Sequence, residues 1–231
     1  MDERDIEDVR KIYDMHGEYF VERENKNPDR KNISKIIISM LGDVKGKKIL
    51  DAGCGASRDA SLLAKAGARV TGVDISPKML ELAKKTCAGP DVELYMKDMQ
   101  KTSFPDKEFD IIISIFSVAY KKNLADLLSE FKRVLKENGK LLISTVHPIR
   151  KMMKYTKNYF ETGKHWEKWE NGMKTFNYYR TVEEYINTLI SQGFVLEEIR
   201  EVKSLTKDPK ESFYPHYLIL KAVKATKSGR P

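Results

Sequence analysis

Lys48-Ile49-Leu50-Asp51-Ala52-Gly53-Cys54-Gly55-Ala56-Ser57 is the stretch on which the reading of this chain turns. A short apolar run ends in an acid, Asp51, and breaks into two glycines one residue apart, Gly53 and Gly55. Ser57 and Arg58 then open an apolar pattern at helical spacing, Ala60, Leu62, Leu63 and Ala66. The pattern predicts a buried strand, a tight glycine turn and a helix N-terminus, where an α/β sheet lets its backbone approach a nucleotide-like ligand. Nineteen residues after Gly55 stands a second acid, Asp74, closing another apolar strand, Arg69-Val70-Thr71-Gly72-Val73. An acid at that point can accept from both hydroxyls of a ribose.

The spacing narrows the ligand. A dinucleotide fingerprint needs a third glycine three residues after the second, so that the helix packs closely and a pyrophosphate meets its N-terminus. Arg58 occupies that position and is too bulky, which disfavours NAD and FAD. The segment from Gly42 to Lys48 lacks the spacing and the Ser/Thr of a phosphate-cradling Walker loop. A ligand with a ribose but no pyrophosphate remains.

From residue 45 to about 146 the chain resembles the class I S-adenosylmethionine-dependent methyltransferases of the small-molecule, type 11-like kind. Asp51-Ala-Gly53-Cys54-Gly55 is similar to their first motif, whose glycine turn faces the methionine part of the cofactor. Asp74-Ile75 resembles the ribose-binding acid after strand two. Lys97-Asp98-Met99 resembles the third motif, in which the acid accepts from the adenine amino group and the next residue lies by the ring. Phe109 to Ser114 resembles strand four, and Arg133 to Ser144 the helix, turn and strand five that follow. The resemblance implies S-adenosylmethionine as cofactor, with Ile115 beside it at the end of strand four. It also implies a seven-stranded, mostly parallel Rossmann-like sheet with helices on both faces and the last strand antiparallel. Ser57 departs from the family, which has a third small glycine there; serine is small and can cap a helix. Taken singly, each motif also fits a plain turn or helix cap, and the joint order carries the inference.

Composition agrees with one enzyme domain. The 231 residues, 41% of them apolar, suffice for a single α/β core. The acidic start, Met1-Asp-Glu-Arg-Asp, does not read as a signal peptide, and no long apolar run occurs. Two cysteines, Cys54 and Cys87, make no disulfide framework, and the four histidines have no metal-ligand spacing. A soluble, cytoplasmic protein is the expectation. Helices are predicted at 5–24, 32–41, 58–66, 77–87, 123–136 and 181–192. Strands are predicted at 48–52, 69–73, 92–96, 109–115, 139–146, 194–202 and 213–223, with a frayed lysine-rich tail from Lys221. The alternation argues a parallel sheet covered on both faces. The expected organisation is a helical lid (1–41), a cofactor core (45–146), a substrate cap (148–180) and a C-terminal helix with strands (181–223).

Residues 148–180 show no period, and long unpatterned segments in compact domains are more often lids or binding loops than filler. This one carries Trp166, Trp169, Tyr155, Tyr159, Phe160, Phe176, Tyr178 and Tyr179. Its cations, Arg150, Lys151, Lys154, Lys157, Lys164, Lys168, Lys174 and Arg180, outnumber Glu161, Glu167 and Glu170. It reads as a cover over a small planar or anionic acceptor, or as a satellite core with solvated lysines. Acceptor contacts are expected from Tyr13, Tyr120, Trp166, Tyr179 and Arg180. A His-Arg-Thr-Val stretch recurs in small-molecule methyltransferases that the chain resembles; Tyr179 replaces the histidine here, while Arg180 could clamp a carboxylate or pair with Glu183 or Glu184.

Direct in-line transfer of a sulfonium methyl asks the protein for alignment and water exclusion more than for a base. Where the acceptor must lose a proton, His147 after strand five is the candidate, with a turn role as its alternative. The net charge of +8 is uneven, since residues 1–30 hold ten acids against six bases. Basic surface of this kind also suits RNA, so RNA or protein is the second acceptor class. A cofactor-binding protein without turnover is the third reading.

Overall fold

The computed structural model describes residues 3–87, 89, 91–169, 172–205 and 213–226. Glu170 and the tail beyond residue 226 lie outside them. Two helices lead in, α1 (Glu3–Lys26) and α2 (Pro28–Leu41). They break at Asn27, whose side chain accepts from Asp29 N at 2.9 Å while Pro28 takes the first helical position. The cap starts α2 four residues earlier than its apolar pattern suggests.

Alternation follows: β1 (Lys48–Ala52), α3 (Arg58–Lys65), β2 (Arg69–Asp74), α4 (Pro77–Thr86), β3 (Val92–Met96), β4 (Phe109–Ile115), α5 (Leu124–Val134) and β5 (Leu135–Val146). After a cap come α7 (Val182–Ser191), β8 (Phe194–Val202) and β9 (Tyr217–Lys224). The seven strands run in the order β3-β2-β1-β4-β5-β9-β8, and β9 alone runs against the other six. That is the Rossmann-like arrangement expected. β5 begins earlier than expected because Leu135 already pairs with Phe109 before the register slips to Ile111 and Lys140. Lys221 is no fraying tail: it pairs with Leu142 and Glu198 inside β9.

The central strands are buried on both faces, which is why they read as unbroken apolar runs. Leu50, Ile112 and Leu141 face Leu127 and Phe131 of α5 and Leu189 of α7. Ile49, Ile111 and Leu142 face Ile33, Ile37 and Leu41 of α2 and Leu63 of α3 on the other side.

The unpatterned segment is not a loop throughout. It forms α6 (Pro148–Lys151), one wide turn, and a hairpin of β6 (Gly163–Lys168) and β7 (Lys174–Tyr179). Thr175 through Tyr179 are all buried. A strand covered on both faces shows no alternation, so it escapes a period-two reading.

Candidate functional site

Three strand ends build the first cavity. β1 ends in Asp51 and Ala52, and the chain then turns at Gly53 (φ 77°) and Gly55 (φ 52°). A Cβ at Gly53 would lie 2.4 Å from Ser117 Cβ, so only glycine fits. Ser117 Oγ in turn donates to Ala52 O at 2.8 Å and pins the end of β1 to the loop after β4. Asp74, at the end of β2, accepts from Gly55 N and from Ser76 N, each at 2.9 Å. One carboxylate thus links the glycine turn to the start of α4.

Asp51, Gly53, Cys54, Gly55, Asp74, Ile75, Asp98, Met99 and Ile115 all line this one cavity. Burial pushes the Asp51 carboxyl well up, and neighbouring Asp59 adds to the shift. Burial also raises Asp74, against its backbone hydrogen bonds. The Cys54 thiol is pushed up by burial and packs where a Cβ on Gly72 would meet its Sγ at 3.0 Å, so it fills space as an uncharged thiol. Asp98 Oδ1 accepts from Gln100 N at 3.0 Å and pairs with buried Lys121. Its Oδ2 is buried with no partner, an acceptor turned to no donor.

Ser57 does not cap α3. It sits in the left-handed region (φ 58°) with its Oγ buried and unpartnered, a backbone shape that costs a non-glycine residue about 1 kcal/mol. A small residue there meets a conformational demand of the turn.

Tyr13 of α1 and Tyr120 join their hydroxyls at 2.9 Å, and both rings line the first cavity and a second beside it. Burial raises both phenols, which remain neutral hydroxyls at physiological pH. The second cavity measures about 460 Å³, in the range of small-molecule sites. Its walls include Phe20, Phe116, Tyr155, Trp169 and Tyr217. Phe116 holds φ 59° at the mouth of β4, a strained position for an aromatic residue.

The remaining expectations meet different geometry. His147 is fully buried and lines neither of these cavities. Its Nδ1 accepts from Ile149 N at 3.1 Å, so Nε2 carries the proton and donates to Glu201 Oε1 at 3.0 Å. With both nitrogens engaged, it is the N-cap of α6, the turn role weighed against catalysis. Trp166 is 55% exposed on the outer face of β6, against Phe176; Trp169, three residues on, enters the second cavity instead. Tyr179 donates to Glu167 Oε1 at 3.0 Å. Arg180 clamps backbone: it donates to the carbonyls of Lys121 and Lys122 (2.9 Å to the latter) and to Tyr178 O at 3.3 Å. It forms no ion pair with Glu183 or Glu184, and Glu184 instead closes a capping box with Thr181.

Lys121, Ser117 and Phe116 escaped the sequence reading, as did the roles of Arg150, Glu167 and Trp169. Glu167 is buried and gathers Lys151, Asn177 (3.0 Å) and Tyr179 on a single oxygen, Oε1. Burial pulls the pKa of Lys151 down despite this partner. Asp98 and Lys121 are 23 residues apart, and Lys151 and Glu167 are 16 apart; no local pattern announces either pair.

Residues 50–143 match the family described as "Methyltransferase domain". An uncharacterized protein of Haemophilus influenzae is 34% identical over 189 residues, 71% of this chain and 74% of its own length. A demethylmenaquinone methyltransferase of Tropheryma whipplei is 37% identical over 112 residues, 48% of this chain; the match spans about half (47%) of that relative. Among solved structures, one described as an S-adenosylmethionine-dependent methyltransferase from Listeria monocytogenes superposes with a TM-score of 0.73 at 26% identity. It covers 81% of this chain and 95% of its own.

Proposed function

Because the chain belongs to the class I S-adenosylmethionine-dependent methyltransferases, we propose that it methylates a small molecule seated in the second cavity. The supporting observation is that Asp51, Asp74, Asp98 and the Gly53–Gly55 turn converge on one cavity that shares Tyr13 and Tyr120 with a roomier one. The first cavity fits the cofactor on two counts. The Gly53 cradle admits no side chain, and the buried Asp98 Oδ2 lacks a donor such as an adenine amino group supplies. When bound, S-adenosylmethionine supplies an electrophilic methyl on a sulfonium.

The residues of this chain divide the rest. The glycine turn and Asp51 face the methionine part, Asp74 accepts from the ribose hydroxyls, and Met99, Ile75 and Ile115 supply apolar surface. Tyr13 and Tyr120, held as neutral hydroxyls, orient the acceptor at the border between cavities. The β6–β7 hairpin and α1 exclude water. Over residues 3–26, α1 buries only Asp5, Val9, Gly17 and Phe20, and it is held by polar contacts. Asp14 accepts from Ser76 Oγ at 2.6 Å, and Asp5 pairs with Lys164 at 2.5 Å. With α1 closed the first cavity holds about 120 Å³, below the ~300 Å³ usual for such sites. We assign α1 the role of a lid that yields to the cofactor; amide exchange in α1 equal with and without S-adenosylhomocysteine would refute this.

Incubation with methyl-labelled S-adenosylmethionine and a metabolite extract, in parallel with total RNA, tests the main reading. Label in the small-molecule fraction is expected. Label confined to RNA, with binding that weakens steeply as salt rises, would transfer the assignment to the second acceptor class. No label in any acceptor pool, the proteins of the extract included, would reduce the protein to a cofactor binder. Among the described residues no helix is long and apolar enough to cross a membrane.

A further inference from the structure

The acids lining the second cavity are already engaged. Glu24 lies 3.5 Å from Arg30, Asp29 accepts from Ser204, Leu205 and Tyr217, and Glu167 holds Lys151. Arg150 is different. It lines the second cavity and not the first, and among the described residues no carboxylate lies within ion-pair distance of it. Its Nε is buried without a hydrogen-bond partner. Trp169, in the same wall, also carries a buried indole N–H with no acceptor. Two donors without acceptors beside one cavity are unusual in a folded protein, where buried polar groups are nearly always paired.

What would satisfy them is an acceptor-only group. A carboxylate offers two oxygens, matching in number the Arg150 guanidinium edge and the indole N–H, and guanidinium is the side chain best shaped for a carboxylate. The surrounding surface fixes the rest of the ligand. Trp169 meets Phe20 edge to face at 5.2 Å, and Tyr155 and Tyr217 complete an aromatic enclosure. Burial and Glu167 push the Tyr155 hydroxyl up to about 12, so it stays neutral and does not repel an anion. Exposed Arg23, Lys154 and Lys168 add positive potential to the lining.

We propose that the methyl acceptor is a planar aromatic carboxylic acid, its carboxylate on Arg150 and the Trp169 indole and its methyl-accepting end toward the Tyr13–Tyr120 border. This rests on the cofactor reading above and assigns Arg150 as the specificity residue.

The test uses the full chain saturated with S-adenosylhomocysteine, titrated with 6-hydroxy-2-naphthoate and, separately, with the neutral 6-hydroxy-2-naphthamide. Quenching of the tryptophan fluorescence and calorimetry give the affinities. The acid should bind at least about tenfold more tightly than the amide, the loss expected when a charge-assisted hydrogen bond goes. R150Q should bring the two together with S-adenosylhomocysteine affinity unchanged. R150K, which keeps the charge without the fork, should retain part of the preference and replaces R150Q should that variant not fold. Equal affinities in the wild-type protein, no binding of either probe, or an acid preference undiminished in the Arg150 variants would overturn the proposal. Failure of S-adenosylhomocysteine itself to bind the wild-type protein would instead overturn the cofactor reading.

Discussion

The turn at residues 51–57 and the segment at 147–181 both border a cavity, yet they use polar groups in opposite ways. At the turn and the strand ends around it, polar groups are left open: Asp98 Oδ2 has no donor, and each Asp74 oxygen accepts a single N–H. In the cap, three of the groups that read as ligand contacts are consumed internally. Arg180 holds three carbonyls, Lys151 is neutralised by Glu167, and His147 is locked between Ile149 and Glu201. Arg150 differs from these three, its buried Nε having no partner. Charge in a cap points to a ligand only after its internal partners have been subtracted.

The difference can be broken experimentally, most severely at the turn. Gly53→Val places a branched side chain at φ 77° with its Cβ 2.4 Å from Ser117 Cβ. Overpacking and left-handed strain together should cost roughly 3 kcal/mol, read as a lower melting temperature, with cofactor binding lost. A Gly53→Val protein of unchanged stability would show that the turn is looser than described.

Next comes Arg180→Leu, which leaves the carbonyls of Lys121, Lys122 and Tyr178 without their shared donor. Stability should fall by about 2 kcal/mol, seen in the denaturant midpoint. The affinity for aromatic acids should fall less than in R150Q. The reverse pattern, intact stability with acid binding abolished, would make Arg180 the ligand clamp and erase the contrast drawn above.

The smallest effect is a slope. Burial holds the His147 pKa below the ordinary value near 6.5. The folded state therefore refuses a proton that the unfolded chain accepts, and stability is lost as the pH falls below about 6.5. His147→Gln removes this titration and should flatten the stability profile between about pH 7 and 5. An unchanged slope would mean that the ring is not sequestered.

These contrasts also explain what could be read beforehand. The strand-turn-helix units of the core were legible because their chemistry is local: a glycine beside an acid at a strand end needs only its neighbours to take shape. β3, β4 and β8 begin and end where their apolar runs do. The cap was legible in composition but not in assignment. Trp166 and Trp169 lie three residues apart, and only the hairpin register, with Trp166 paired to Phe176, decides which one faces the cavity. Arg150 and Arg180 are equally plausible anion binders until the carbonyls of Lys121 and Lys122, far away in sequence, turn out to occupy the second. Partners brought in by tertiary contact leave no trace in a single sequence.

The most direct test is a calorimetric titration of the folded protein with S-adenosylhomocysteine, beside Asp74→Ala. One site per chain is predicted in the wild-type protein. In the variant, loss of charge-assisted hydrogen bonds worth roughly 1.5–3 kcal/mol each should weaken binding on the order of tenfold to a hundredfold. A folded wild-type chain giving no heat, or a folded variant that binds just as tightly, would contradict the account at its base.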